Sequence, residues 1–286
     1  TPVQRRHRAG AAPWAESRAG IQAWRDRVAS IDADTLNESE HITLQFFDSV
    51  LVDAQQQSVC MDEQWKVSPR SNAFGSLSRL TEIANLQTPQ GGADLLGRYQ
   101  AIGAYIDGNI ANLRLGLAAQ RTPNAESLRR TIEMLDSELA KPSTEWRFLD
   151  PIRNEKPGWT QQEKDSFEIA IRTVNEQMIR PAFTRYRAFL NDELLPQARP
   201  TEKAGILHLP NGAACYQAAI SHHTTLKKSA DELHQTGLHA LAGIHDEFRT
   251  LGESIWGETD LKRIFHRLRT DQDLFFSDAD AVVQKA

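Results

Sequence analysis

Helical periodicity runs through almost the whole chain and limits its possible folds more than any other feature. Apolar residues recur at steps of three and four, as in Ile21, Trp24, Val28 and Ile31, and again between Tyr99 and Leu117. This spacing places the apolar side chains on one face of an α-helix, and that face must be buried against another helix. The sequence therefore predicts an all-α fold, a multi-helix array with long antiparallel helices.

Capping sequences mark where several of these helices begin. Thr160 with Glu163 and Ser229 with Glu232 have the spacing of a capping box, in which the two side chains bond each other's backbone N–H groups. A helix from Thr160 to about Leu190 is expected to kink at Pro181. Another helix, from about Asn124 to Leu139, is expected to have Thr122 as its cap and Pro123 in its first turn.

The segment from Ile206 to Thr225 interrupts this pattern. Its first four residues are mostly apolar and lie between Pro200 and the turn sequence Pro210-Asn211-Gly212, which is typical of an extended strand that enters a turn. Such a strand either fills a gap in the packing or forms a ledge that hydrogen-bonds an extended peptide, with glycine allowing close approach to the backbone. The ledge interpretation gives the substrate-binding candidates Leu207, His208, Leu209, Asn211 and Gly212.

Three side chains after the turn could carry chemistry. Tyr216 is expected in the first turn of the next helix, where its phenol could donate to a carbonyl oxygen or an oxyanion. Simple packing at a helix start explains the tyrosine equally well. His222 and His223, near the end of that helix, either complement its dipole or line the same cleft, and they join the substrate-binding candidates.

The common catalytic motifs are absent from the sequence. It has no phosphate-binding loop, no dinucleotide-binding glycine pattern, no nucleophile elbow and no His-Glu-x-x-His. The histidines from His222 to His245 are not spaced one turn apart on a helix face, so a self-contained metal site is the least favoured hypothesis, and no metal ligand is assigned. Cys60 and Cys215 are too few for a disulfide framework and are predicted to be buried thiols, which leaves the redox compartment open.

Composition excludes two further classes. With 40% hydrophobic residues and a formal net charge of -5, the chain is an ordinary soluble globular protein and no nucleic-acid partner is expected. No segment approaches the roughly 18 consecutive apolar residues of a membrane span. Because the chain starts at Thr1 without methionine, a leader could have been removed. Localisation and oligomeric state stay open.

Proline and glycine divide the chain into segments. We expect a basic or disordered tail over residues 1–14, a helical lobe over 15–199, and the ledge, turn and cleft-wall helices over 200–286. Residues 277–286 open like a new helix and stop, so more protein is expected to follow.

Four sequence elements resemble the bacterial domain-of-unknown-function family 885. They are Ala111–Pro123, Phe189–Arg199, Leu209–Tyr216, and His223–Thr225 followed by Glu232–Leu238. Their order and spacing match that family from about Ala15 to the end of the chain.

The resemblance implies a fold similar to thermophilic-type zinc carboxypeptidases and oligopeptidases. The family's zinc motif, which contains His-Glu and a later Pro-Gly-His-His, lies in a carboxy-terminal half that this sequence lacks. The resemblance thus implies the amino-terminal portion of a hydrolase of peptides or small amides, inactive alone, with zinc bound only by the full-length protein. Where the family often has a Tyr-Tyr pair, this chain has Cys215-Tyr216, so only Tyr216 carries over. The alternative is a non-catalytic helical binding or scaffold module.

Overall fold

The structure is a computed structural model that describes residues 11–285, with side chains from Trp14 onward. These residues are helical nearly throughout, which confirms the all-α prediction. The α-helices are α1 (Ala11–Ala29), α2 (Glu38–Gln57), α3 (Ala73–Ser78), α4 (Pro89–Gln100), α5 (Ile102–Ala118), α6 (Ala125–Ala140), α7 (Asp150–Arg153), α8 (Gln161–Val174), α9 (Arg180–Phe189), α10 (Gly212–Thr224), α11 (Ala230–Trp256), α12 (Leu261–Thr270) and α13 (Ala279–Lys285).

Short helices of other types connect them. Two π-helices, Asn175–Ile179 and Leu190–Leu194, flank α9. Single 3₁₀ turns are Ala33–Thr35, Ser58–Cys60, Asp62–Gln64, Arg79–Thr81, Ser143–Glu145, Arg147–Leu149, Leu195–Gln197, Thr201–Lys203, Ile206–His208 and Gln272–Leu274. Residues 11–285 contain no strand, only isolated β-bridges between Ser68 and Ser71 and between Asn124 and Arg199.

The chain forms two compact units, which divide between His222 and His223. The first unit is described from residue 11 and the second as far as residue 285. The basic tail expected over residues 1–14 falls mostly outside the described residues, and the backbone is already helical from Ala11 onward.

An aromatic cluster forms the centre of the first unit. Phe74 packs edge-on against Trp146, Phe148 and Phe183, with ring centroids 5.0–5.9 Å apart. Polar atoms inside the cluster find backbone partners, because an unpaired buried polar group is costly. Trp146 Nε1 donates to the Glu138 carbonyl at 2.9 Å, and the Tyr99 hydroxyl donates to the Phe148 carbonyl at 3.1 Å. Burial raises the pKa of the Tyr99 phenol.

The helix starts agree with the sequence except at one cap. Both predicted capping boxes form, at Thr160 with Glu163 and at Ser229 with Glu232. The cap of α6, however, is Asn124, whose side chain accepts from the Glu126 and Ser127 amides. The predictions of Thr122 as the cap and of Pro123 in the first turn were wrong, because the helix begins at Ala125 and both residues precede its cap.

A π turn precedes Pro181, where the sequence predicts a kink. Proline has no N–H to donate and its ring crowds the carbonyl four residues back. The π-helix Asn175–Ile179 ends just before it, and the Arg180 amide donates to the Asn175 carbonyl, five residues back. The wider turn lets the helical path continue into α9 with Pro181 in the first turn.

Cys60 and Cys215 form a disulfide, so the prediction of two buried thiols was wrong. Both are buried as expected, at 9% and 4% exposed. Sequence spacing gave no sign of the bond because 155 residues separate the two cysteines, and only the tertiary fold brings their Cα atoms to 4.8 Å.

The second unit consists of α11, α12 and α13. Gly257, in the left-handed conformation with φ of 65°, ends α11, and α12 folds back against its last turns. Phe248 and Phe265 contact each other with centroids 5.0 Å apart, and Ile264 packs over Gly252. None of the described helices in either unit is both long and apolar enough to cross a membrane.

Replacing both cysteines by alanine is expected to lower the free energy of unfolding of the first unit by about 2–5 kcal/mol, because the bond closes a very long loop. Urea unfolding of the oxidised parent and the double variant measures the difference. The far-UV circular dichroism of the two proteins should be alike, and equal stability would contradict the prediction.

Gly116→Ala is expected to destabilise the first unit by about 1–3 kcal/mol or more. A Cβ at Gly116 would lie 1.9 Å from the Gln64 carbonyl oxygen, so backbone must move. Gly103→Ala in the same helix is the matched control, since nothing lies within 4 Å of its Cβ position. Thermal unfolding should show a lower Tm for the first variant and an equal or higher one for the control.

Candidate functional site

Three contacts join the end of α2 to α10, and together they form what we term the α2–α10 seam. They are the Cys60–Cys215 disulfide, a hydrogen bond of 2.7 Å from Gln57 Nε2 to the Ala218 carbonyl, and a 2.7 Å bond between His222 Nδ1 and Asp53 Oδ2. Along both segments the contact positions follow steps of three and four and run in opposite directions. The two segments are therefore antiparallel, each with one face in the seam.

The start of α10 is fixed by an unusual turn. Asn211 has a φ of 61°, a left-handed conformation that asparagine tolerates, and the Gly212 amide donates to the Leu209 carbonyl at 2.9 Å. A Cβ at Gly212 would lie 2.0 Å from the Ile206 carbonyl oxygen. The close backbone approach expected here is thus made by the chain itself, and Gly212 is buried.

The predicted strand at 205–209 is wrong. Ile206–His208 is a 3₁₀ turn in which the His208 and Leu209 amides donate to the Gly205 and Ile206 carbonyls. Because these backbone groups are paired locally, they form no ledge for an extended peptide. Leu207 is 63% exposed and His208 and Asn211 are exposed, whereas Leu209 is buried, so the accessible part of the segment consists of side chains.

Tyr216 lies in α10 and is 43% exposed. It follows Cys215 directly, so the disulfide anchors the turn of helix that carries it. His222 lies six residues further along, which places the two side chains about 120° apart around the helix axis. The structure therefore places both on one helix but does not bring them together on one face.

Asp53 is the site residue that the sequence did not reveal. Its carboxylate accepts from His222 Nδ1–H, which holds the imidazole in one orientation and favours one tautomer. The side chains are 35% and 48% exposed, so the pair is accessible to solvent. No local signal could identify the partnership, because 169 residues separate the two.

The other histidines that the structure describes lie apart from the seam pair or in the second unit. His223 is the first residue of the second unit, in which His245 contacts the Phe265 ring at 6.4 Å. Over residues 11–285 no group of three or more histidine, cysteine, aspartate or glutamate side chains is placed to hold a metal ion.

A second feature of the first unit is a surface cavity of about 410 Å³ between α5 and α9. Its walls carry two ion pairs, Arg114 with Glu193 at 2.6 Å and Arg185 with Asp107 at 3.0 Å. Hydrogen bonding to Arg114 lowers the pKa of Glu193. Each guanidinium already has a carboxylate partner and Asp192 adds a third carboxylate to the lining, so neither arginine is left to bind an anionic ligand, and the seam is the stronger candidate.

The sequence matches the model of the DUF885 family, described as "Bacterial protein of unknown function", over residues 4–286. The chain belongs to the DUF885 family. The resemblance seen in the four sequence elements is thereby confirmed. We found no match among proteins with curated descriptions.

A solved structure from another bacterium is similar to this DUF885 chain over nearly all its length. It is the crystal structure of a Colwellia psychrerythraea protein described as "the putative lipoprotein", with a TM-score of 0.82 and 16% sequence identity. The match covers 97% of this chain and 49% of that one. The likeness shows the fold, and the chain spans about half the length of this relative.

We predict that Asp53→Asn shifts neutral His222 away from the Nδ1–H tautomer, because the carboxylate acceptor is replaced by an amide that can donate. Long-range ¹H–¹⁵N correlation spectra, recorded at a pH where the imidazole is neutral, report the tautomer. Asp48→Asn on the same helix is the control, since Asp48 faces Arg25. An unchanged His222 spectrum in Asp53→Asn would contradict the pairing.

Proposed function

We propose that this chain is the amino-terminal portion of a metallopeptidase-like hydrolase of peptides or small amides. In this proposal α10 belongs to the substrate-facing wall of a cleft, and the zinc motif lies in a carboxy-terminal half beyond residue 286. The observation that carries the proposal is the seam. It fixes an exposed phenol and a carboxylate-oriented imidazole on one helix, in a chain whose described residues hold no metal-binding group.

Family membership and chain length support the proposal that the substrate-facing wall and the zinc motif lie in different halves of the protein. The wall elements, Leu209–Tyr216 and the residues after it, are among those by which the chain resembles its family, and the match to the family model spans them. The Colwellia relative carries about as much chain again outside the matched part. A second half of comparable size could supply the metal and the general base.

Fewer residues contact the substrate in this proposal than the sequence predicted. The substrate-contacting members of the wall are the exposed side chains Leu207, His208 and Asn211, with Tyr216 as donor to a carbonyl oxygen or oxyanion and His222 as a polar contact. Recognition would use side chains, since the 3₁₀ turn pairs its own backbone groups. Leu209 and Gly212 are buried and would hold the exposed side chains of the wall in place.

The proposal predicts different zinc contents for the longer gene product and for the chain that ends at residue 286. The longer gene product should bind about one zinc ion per chain tightly, and the chain that ends at residue 286 should bind none after gel filtration. Atomic absorption measures both. Tight stoichiometric zinc in the shorter chain, or a stop codon directly after Ala286, would contradict the proposal and favour a helical binding or scaffold module.

In the longer protein, Tyr216→Phe is expected to lower kcat by roughly 10²-fold with little change in KM, because the phenol would act on charge that develops in the transition state. Tyr105→Phe is the control, a partly buried tyrosine of α5 packed against the core. Steady-state kinetics with a peptide amide separate the two parameters. Equal kcat in parent and Tyr216→Phe would leave the tyrosine a packing role.

We also infer that the protein matures in an oxidising compartment, because buried structural disulfides are rare where thiols are kept reduced. Alkylation of the denatured protein, taken directly from bacterial cells, should find no free thiol. Two alkylated cysteines per chain would contradict this inference without affecting the hydrolase proposal.

A further inference from the structure

The 27-residue helix α11 exposes an apolar face, which we term the α11 stripe: Gly237, Leu241, Ile244, Leu251 and Ile255. Leu241 and Ile244 are each 47% exposed, Leu251 is 56% exposed and Ile255 63% exposed. The spacing of three and four puts them in one line along the helix. Scattered apolar residues on a surface are normal, but a contiguous line of this length is typical of an interaction site.

The second unit does little to cover this stripe. Within residues 223–285 the fully buried residues are Gly252 and Ile264, where α12 crosses the end of α11. Phe248, on the same side of α11 as the stripe, contacts the Phe265 ring. Nothing else in the described part of the second unit covers the stripe, so the unit by itself leaves most of its apolar surface uncovered.

Gly237 leaves room on the stripe for a close partner. Glycine inside a helix costs about 1 kcal/mol relative to alanine, and its missing Cβ lets a neighbouring element approach the backbone closely. At Gly252 such a neighbour exists, since an added Cβ would lie 2.4 Å from the Ile264 side chain. At Gly237 nothing lies within 4 Å. The space for a close-packed helix is present, and the described part of the second unit does not fill it.

We propose that the α11 stripe is the docking surface for the carboxy-terminal half of the polypeptide, which packs an apolar helix across Gly237. This deepens the proposed function, on which it rests for the existence of that half. The choice of occupant comes from the fold comparison. The match to the Colwellia structure covers 97% of this chain, and so includes most of the second unit, yet about half of that relative's chain lies outside the match.

The test compares two glycine variants in two proteins. Gly237→Ala lies in the stripe, and Gly243→Ala is its control on the polar side of α11, also with nothing within 4 Å. In the chain that ends at residue 286, both should raise the hydrogen-exchange protection of the α11 amides by roughly fourfold, the gain from helix propensity. In the longer gene product, Gly243→Ala should still raise protection and Gly237→Ala should lower it.

A second measurement does not depend on the glycine variants. A cysteine at Leu241, with the native disulfide kept oxidised, should react rapidly with a soluble maleimide in the shorter chain and at least tenfold more slowly in the longer one. A cysteine at Glu253, on the opposite face, should react equally fast in both. Equal rates at Leu241 in the two proteins would overturn the proposal.

Two other outcomes would also contradict the proposal. If the shorter chain sediments as a dimer that Leu241→Glu makes monomeric, and the longer chain dimerises in the same way, the occupant is a second copy and the proposal fails. If Gly237→Ala raises protection in both proteins, no helix packs there and it also fails. Zinc content is measured separately, so a longer chain that covers the stripe but binds no zinc would refute only the hydrolase proposal.

Discussion

The α2–α10 seam is the constraint on which the candidate site depends. Hydrophobic burial alone does not hold α2 in place, because Leu51 is its one buried residue while Ile42 and Phe46 are 60% and 70% exposed. The disulfide and the hydrogen bonds from Gln57 and His222 fix its end instead. A covalent bond between segments so far apart in the chain limits the unfolded state and sets the register in which the polar contacts form.

Different interactions hold the centre of the first unit and the α2–α10 seam. Its centre is an aromatic cluster whose buried polar atoms are satisfied by backbone carbonyls, and this cluster fixes α3, α9 and the 3₁₀ turn at Arg147–Leu149. The seam lies where apolar packing is thinner. Exposed side chains held by a cross-link and by polar contacts are accessible to a ligand and still keep their orientation, which is what a recognition surface requires.

Much of the fold followed from local sequence signals. The apolar periodicity and the capping boxes at Thr160 and Ser229 predicted helices that the structure contains, because helix formation depends on residues within one turn of each other. The strand at Ile206–Leu209 was wrongly predicted, since a four-residue apolar run between prolines suits a 3₁₀ turn as well as a strand. Asn124 and not Thr122 is the cap of α6, because the helix begins at Ala125, directly after Asn124.

The sequence by itself determined the helical class and the family, since these depend on short-range pattern, and it predicted a candidate site around Tyr216. Only the tertiary structure decided that Cys60 and Cys215 are bonded, that Asp53 orients His222, and that Gly212 serves the chain's own backbone. The first two join groups from separate elements of the chain. The third depends on the exact path of the backbone around Gly212. Neither composition nor spacing encodes that proximity, because it arises when all the helices find their places together.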